Sequence, residues 1–374
     1  MKLKIIKNKL EDGLNTVKRV TTKSSTLPIL NNILVKTEDS FLNLSATDLE
    51  VGVRWWSLAE TDDEEEIVVP TKVLSSFVNY LPEEAVSISK KDMNLKIKCG
   101  NHKTQIKGLD SEDFPIIPEV ENEKYISINS EVFCEALDQV VNIAMPSSVK
   151  PEISGVFFSC KNDSLKVVAT DSFRLGEKTI PLDKKPDDNF SFILPQKAAK
   201  EIVNIFKGKE KTIRLYYSPN QVLFETQMEE TDHPEVQLVS RLIEGEYPDY
   251  EEIIPGKTKT TVTLDLSEFK KQIKTASIFT SENKEVKIKV DPKNNKLEFT
   301  SQNADLGEHY SFIKTEDIKG KPVEISFNCR FLIDGLNNIS TNRAVLKLNG
   351  ESNPALIKST EDTGYIYVIM PIKA

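Results

Sequence analysis

The sequence predicts an α+β chain made of three like domains, each with two helices and many short strands. Three observations lead there. Residues 42–51 read L-N-L-S-A-T-D-L-E-V, residues 165–175 read L-K-V-V-A-T-D-S-F-R-L, and residues 297–306 read L-E-F-T-S-Q-N-A-D-L. Each is an alternating apolar/polar run that breaks into a short polar turn ending at Asp48, Asp171 or Asp305. The copies lie about 123 and about 134 residues apart, too far for a solenoid repeat and right for a whole domain. The flanking segments repeat in the same order. Three like domains in one chain imply a curved array, and a curved array invites closure into a ring.

Upstream of each turn an amphipathic helix is expected, over residues 8–21, 130–145 and 265–277. The middle one places Phe133, Ala136, Leu137, Val140, Val141 and Ala144 on one face, at the spacing of a core-facing helix. A short alternating strand precedes each, at residues 3–6, 125–128 and 261–264. Downstream stands a second strand-then-helix unit: I-V-V-P-T-K-V-L-S-S-F-V from Ile67, F-I-L-P-Q-K-A-A-K-E-I-V from Phe192 and I-S-F-N-C-R-F-L-I-D-G-L from Ile325. Pro70 and Pro195 match, and are expected in the first turn of their helices, where no backbone donor is missed. Each domain therefore divides into two similar halves, giving six strand–helix–strand units.

At 374 residues the chain has room for two or three domains. Its 39% hydrophobic and 29% charged residues are ordinary for a soluble globular protein. No apolar run reaches membrane-spanning length, and the opening M-K-L-K-I-I-K-N-K-L is too polar for a secretory signal. Two glycosylation sequons, at Asn43 and Asn338, are read as chance. Cys99, Cys134, Cys160 and Cys329 are scattered without C-x-x-C spacing, which points to small core hydrophobes in a reducing cytoplasm.

The net charge of −9 taken alone opposes nucleic-acid binding. The charge is segregated, however. The expected helix at 265–277 carries Lys270, Lys271 and Lys274 opposite its apolar stripe. The first helix region carries Lys7, Lys9, Lys18 and Arg19, followed by Lys23. The second helices carry Lys72, then Lys197 and Lys200, then Arg330. Acidic residues collect at 62–66, 119–123, 229–235 and 244–252. A charge run is usually a solvated face. Recurrence on equivalent helices of all three repeats favours a shared polyanion.

No catalytic constellation is present. His102, His233 and His309 fall in no metal-binding spacing, and no metal or cofactor is expected. Pro255-Gly256-Lys257-Thr258 imitates the end of a phosphate-binding loop, but Glu251 stands where that loop needs glycine. There is no G-x-S-x-G elbow. The repeated aspartates are read as structural, since Asp accepts backbone N–H groups in tight turns.

Seven segments together resemble the β subunit of bacterial DNA polymerase III, the family of β sliding clamps. They are T-L-P-I-L-N-N-I-L-V (26–35), S-A-T-D-L-E-V-G (45–52), G-L-D-S-E-D-F-P (108–115), V-A-T-D-S-F-R-L (168–175), E-G-E-Y-P-D-Y (244–250), F-N-C-R-F-L-I-D (327–334) and Y-V-I-M-P-I (367–372). Order and spacing cover the whole chain. The resemblance implies the DNA-clamp fold: domains at 1–122, 123–252 and 253–374, each with two helices and two antiparallel sheets. It implies a head-to-tail homodimer closed into a ring, with helices lining the hole and sheets forming the wall. Such a ring encircles double-stranded DNA without reading sequence and tethers the polymerase as a non-catalytic processivity factor of the cytoplasm. The residues that would face DNA are Lys18, Lys23, Ser24, Lys72, Lys197, Lys200, Lys270, Lys271, Lys274 and Arg330. Those at the dimer contact would be Thr104, Ile106, Ile278 and Phe279.

The resemblance also implies a pocket between the second and third domains. Short linear motifs of the polymerase III catalytic subunit, other polymerases, the clamp loader, mismatch-repair proteins and ligase would dock there. Its residues would be Ile153, Thr170, Ser172, Phe173, Arg174, Leu175, Pro248, Ile253, Asn328, Phe331, Pro354, Val368, Ile369, Met370, Pro371 and Ile372. Without the resemblance, Y-V-I-M-P-I reads simply as a final core strand. The chain departs from the family pattern at Ser172 and Phe173, where Gly then His or Tyr is usual. It departs again at Phe331 for Tyr, at Lys373-Ala374 for Arg-Leu, and at Ser24 for a basic residue. Two other functions fit the residues less well: an enzyme with a concealed site around Asp171 and Arg174, and a paralogous clamp specialised for one partner or for resistance to a clamp-targeting antibiotic.

Overall fold

The computed structural model describes residues 1–21, 26–61, 63–120, 124–147, 149–315 and 317–373. Lys23, Ser24 and Ala374 lie outside the described residues, as does the expected first domain boundary. The described residues form six α-helices: α1 (Lys7–Val17), α2 (Thr71–Asn79), α3 (Ser130–Val141), α4 (Gln196–Phe206), α5 (Leu266–Ser277) and α6 (Cys329–Asn337). These are the six strand–helix units read from the repeats. The predicted apolar face of the α3 region is buried throughout, from Phe133 and Leu137 to Ala144 just beyond its last turn. Pro70 and Pro195 differ from expectation by one position. Each ends the strand before its helix, Glu66–Pro70 pairing at Asn32 and Phe190–Pro195 pairing at Gly155. Pro70 has the extended φ/ψ of −59° and 115°, so its fixed φ closes the strand and the helix begins one residue later.

Two compact units divide the chain. The first comprises Met1–Cys134 and Lys197–Leu242; the second comprises Glu135–Gln196 and Ile243–Ala374. The first holds a five-stranded sheet in the order Glu60–Thr61, Lys2–Ile6, Ala85–Lys91, Asn94–Cys99, His102–Lys107. It also holds an eight-stranded sheet in the order Tyr125–Asn129, Thr212–Tyr217, Gln221–Gln227, Pro234–Arg241, Val51–Leu58, Phe41–Thr47, Asn32–Glu38, Glu66–Pro70. The second unit holds a nine-stranded sheet that runs from Phe190–Pro195 through Gly155–Lys161, Ser164–Thr170 and Arg174–Pro181. It continues through Tyr365–Ile369, Ala355–Ser359, Arg343–Leu348 and Thr260–Asp265 to Asp317–Gly320. A four-stranded sheet completes that unit, in the order Gly307–Lys314, Lys296–Asn303, Glu285–Asp291, Val323–Asn328. All the named pairings are antiparallel.

Three domains of two sheets would give six sheets. Four are found among the described residues, because neighbouring domains fuse their sheets edge to edge. The strand after the first aspartate turn, Val51–Leu58, pairs with the last strand of the central repeat, Pro234–Arg241. The strand after the second turn, Arg174–Pro181, pairs with the last strand of the chain, Tyr365–Ile369. Each joint satisfies the backbone groups of two strands that would otherwise be sheet edges. Within the first unit α1 packs on the strand Val51–Leu58, with the Trp55 ring against Gly13, where any side chain would collide with it.

The turns behave as predicted in two repeats. Asp48 Oδ1 accepts from Glu50 N and Val51 N at 3.0 and 2.7 Å, and Asp171 Oδ1 accepts from Phe173 N and Arg174 N at 3.0 Å each. In the third repeat the acceptor is Asn303, whose Oδ1 receives Asp305 N and Leu306 N at 2.9 and 3.1 Å. Asp305 is thus the donor of the turn and not its acceptor; the sequence offers two short polar residues there, and chain direction picks the first. Lys7 also departs from expectation. It is buried at the start of α1 and held by Glu11, not displayed on the helix surface.

Candidate partner-binding site

The second fused joint gathers most of the predicted pocket residues. Thr170 Oγ1 accepts from Ser172 N at 3.2 Å and donates to Arg174 O at 2.8 Å, locking the tip of the turn. Ser172 sits at φ +74°, the left-handed region that favours glycine, as Leu49 does at +77° in the first repeat. The strand register then sets Arg174 against Ile369 and Leu175 against Val368, and Met370 N donates to Phe173 O at 2.8 Å. Ala355 pairs with Ile369 on the other side, which places Pro354 beside the end of the same strand. Ile372 N donates to Ser326 O at 2.8 Å, tying the chain's last segment to the strand before α6.

Arg174 organises the wall. Its Nε lies 3.0 Å from Asp171 Oδ2 and its Nη1 2.6 Å from Asp334 Oδ2 of α6, while its guanidinium stands 4.4 Å from the centre of the Phe331 ring. The charge is buried and fully used, a planar fork suiting two carboxylates and an aromatic face. Phe331 in turn lies 6.3 Å from the Phe173 ring, nearly parallel to it. Asn328 caps α6 by accepting Arg330 N and Phe331 N at 3.0 and 3.3 Å, and Tyr367 Oη donates to Phe331 O at 2.7 Å. The constellation around Asp171 and Arg174 therefore has a complete structural explanation.

The segment linking the second and third repeats is pinned beneath this wall. Tyr247 stacks on Phe157 at 4.6 Å, Tyr250 Oη donates to Glu177 Oε2 at 2.7 Å, and Lys166 reaches Glu251 at 3.1 Å. Burial pushes the Tyr250 hydroxyl well above the usual phenol range, and the Glu177 carboxylate adds to that, so it stays a donor. Tyr250 closes an apolar cluster with Val168, Leu175, Leu356, Ile366 and Val368.

Leu175, Val368 and Ile369 are at most 1% exposed, so they form a floor below the surface. Thr170, Ile153 and Pro371 are buried as well. What solvent reaches is Phe173 at 61%, Ile253 at 42%, Pro248, and the half-buried Met370 and Ile372. An apolar rim above a packed floor, with Arg174 and Asn328 as fixed polar points, can anchor apolar side chains of a peptide. Among the described residues the first fused joint has no such rim. Its surface is a polar cavity of about 490 Å³ whose lining includes Lys36, Glu38, Arg54, Glu66 and Glu119. There Ile117 fills the space over Gly52 and packs with Leu223 and Val239. Sequence reasoning missed Asp334, Tyr247 and Tyr250; the aromatic spacing in E-Y-P-D-Y was the signal that could have found the last two.

The basic residues are distributed as follows. Lys270, Lys271 and Lys274 lie together along α5, flanking a surface hollow of about 460 Å³. Burial and then the neighbouring Lys274 hold the Lys270 amine below its usual value. Lys18, Lys72 and Arg330 are exposed and Lys200 is half-buried. Lys197 is engaged: its Nζ pairs with Asp48 Oδ2 across the first joint. Of the expected dimer contacts, Ile278 is 63% exposed, while Phe279 is half-buried and stacks on His309 at 5.9 Å. Thr104 is half-buried, and Ile106 faces inward at 5% exposure as part of the core of its sheet. Among the described residues no cluster of His, Cys, Asp or Glu is placed to hold a metal ion, and no helix is long and apolar enough to cross a membrane.

Three family models match end to end: the N-terminal domain of the DNA polymerase III beta subunit over residues 1–118, the central domain over 127–249 and the C-terminal domain over 251–373. The chain belongs to the DNA polymerase III beta subunit family. Curated relatives are the beta sliding clamps of Synechococcus elongatus, 26% identical with 100% of this chain and 99% of the relative covered, and of Caulobacter vibrioides, 28% identical over the whole of both. The crystal structure of the Bacillus subtilis sliding clamp superposes with a TM-score of 0.93 at 25% identity, covering 100% of this chain and 99% of that one. The Thermotoga maritima beta subunit gives 0.90 at 26%, with the same coverage. The chain is accordingly a DNA polymerase processivity factor, a sliding clamp with no catalytic activity of its own.

Proposed function

We propose that two copies close head to tail into a ring around duplex DNA, and that the rim over the second joint captures short linear motifs of replication and repair proteins. The observation that carries the ring is the rule followed at both joints. The strand after the aspartate turn of one domain pairs antiparallel with the last strand of the next. One strand of each kind is left over: Gly307–Lys314, after the third turn, and His102–Lys107, the last of the first domain. Both are outer strands of their sheets. A third joint of the same kind needs a second copy, and two such joints close a six-domain cycle. The domain boundaries we assign are 122/123 and 252/253.

Lysines on the helices then act on the duplex as dispersed phosphate contacts. They carry no base readout, so no position on the DNA is preferred and the ring can slide. Partners that dock on the rim are catalytic subunits, the clamp loader and repair enzymes carrying an apolar motif. A clamp specialised for a single partner or for antibiotic resistance is not favoured by the end-to-end match to general clamps.

Light scattering tests the third joint. The native protein is expected near twice 42.2 kDa, and the double variant Ile278→Ala/Phe279→Asp at 42.2 kDa. A variant that stays dimeric at micromolar concentration rejects the assigned contact.

A further inference from the structure

We infer that the outer face of the first domain's five-stranded sheet is a second binding surface for duplex DNA, separate from the helix lysines. Alternate residues of these strands point to opposite sides. Leu3, Ile5, Val86, Ile88, Leu95 and Ile97 are buried beneath the sheet. The other parity carries lysine in cross-strand rows. Lys4 faces Ser87, Ser87 faces Lys98, and Lys98 faces Lys103. In the next row Lys2 faces Ser89, Ser89 faces Lys96, and Lys96 faces Gln105. The two rows line a shallow hollow of about 790 Å³.

This face lacks counter-charge. Among the described residues Glu60, 4.0 Å from Lys4, is the one carboxylate lining the hollow, in a chain whose net charge is −9. Lys98 and Lys103 stand directly opposite each other, an arrangement that destabilises a sheet unless an anion lies over it. The four-stranded sheet of the third domain is built differently. There Lys287 pairs with Glu324, and Lys289 and Lys296 pair with Glu298. Neutralised lysines are thus within this chain's means, whereas on this face of the first domain Glu60, at 4.0 Å from Lys4, is the one carboxylate among the described lining residues.

The occupant follows from what the hollow omits. Among the described residues it has no aromatic side chain, so unstacked bases of a single strand would find no platform. Its exposed lining offers amines, hydroxyls and amides, with no exposed apolar anchor of the kind that centres a protein interface. A duplex hides its bases and presents only phosphate rows, which lysines spaced about 7 Å along a strand and about 5 Å between strands can meet. Joining the edge strand His102–Lys107 to a second copy would use its backbone and leave this face open.

The test uses the whole protein, no clamp loader, and a covalently closed circular duplex, which a closed ring cannot thread. Binding is followed by sedimentation at about 50 and about 200 mM salt. The native protein should bind at the lower salt and release at the higher. Lys4→Glu/Lys96→Glu/Lys98→Glu should bind about tenfold more weakly, and the neutral Lys4→Gln/Lys96→Gln/Lys98→Gln by an intermediate factor, with dimer mass unchanged. Lys287→Gln/Lys289→Gln, on the neutralised sheet of the third domain, should bind the circle as the native protein does. Unchanged binding in the first-domain glutamine variant overturns the inference, and so does loss of binding in the third-domain variant. Tighter binding of a single-stranded circle or of polyglutamate would give the face a different occupant and equally overturn it. Encirclement is judged separately, by retention after loader-driven loading.

Discussion

At the residue scale, side chains of this chain are placed by hydrogen-bond demand more than by identity. Asp171 and Asn303 perform one task because each offers a short acceptor two and three residues before waiting N–H groups. Glu38 shows how such placement becomes pH dependence. Burial alone would raise its pKa, but hydrogen bonds from Lys36 and from Trp56 Nε1 at 3.0 Å outweigh that and hold it below the usual value. A carboxyl lowered in the folded state stabilises it above the ordinary glutamate pKa of about 4.3, and that contribution is lost as pH falls through the folded value. Trp56 fluorescence followed from pH 6 downward (roughly to 3) should therefore report loosening below the ordinary glutamate range, and Glu38→Gln should flatten that response. At the rim, Met370 is half-buried and carries no polar duty in its side chain. Met370→Ala should weaken a peptide with a glutamine followed by spaced leucine and phenylalanine by about 1–2 kcal/mol, with dimer mass unaltered. Calorimetry giving the same affinity in both proteins would place the peptide elsewhere.

At the element scale, the turn at 170–175 governs the second joint, because it delivers Phe173, Arg174 and Leu175 to the last strand in register. Asp171→Ala removes the acceptor of two backbone N–H groups and one of the two partners of Arg174. We expect a loss of about 2–4 kcal/mol in urea denaturation, since a buried charge and donors are left short of partners. Ser172→Gly should be the opposite case. A side chain at φ +74° costs about 1 kcal/mol that glycine does not. A Ser172→Gly protein less stable than the native one would mean that the Ser172 side chain supports the turn.

At the scale of the whole molecule, sheet fusion decides how the repeats join. Two joints are made within the chain and a third, in our reading, between chains. Sliding then depends on topology and not on affinity. Once loaded, the protein should persist on nicked circular DNA and leave linear DNA with free ends, and blocking those ends should restore retention. Equal retention on open linear and circular DNA would reject encirclement. Charge reversal at Lys270, Lys271 and Lys274 should lower loading or retention and make the remaining salt dependence shallower, because fewer phosphate contacts release fewer counterions. Lys197 should matter in another way, because its amine holds Asp48 across the first joint.

The sequence by itself determined the repeats, the helices found among the described residues, and the alternation that buries one face of strands such as Lys2–Ile6 and Glu285–Asp291. These follow from local periodicity and turn chemistry, which a chain carries residue by residue. Tertiary structure alone decided which strands meet across repeats, because pairing partners such as Val51–Leu58 and Pro234–Arg241 lie far apart in the chain and no local pattern names them. The same long-range pairing enclosed Leu175 and Val368, sealed the first joint with Ile117 and left Phe173, Ile253 and Met370 at the surface of the second. Whether an apolar residue becomes floor or rim depends on what distant strand covers it, and that is a property of packing.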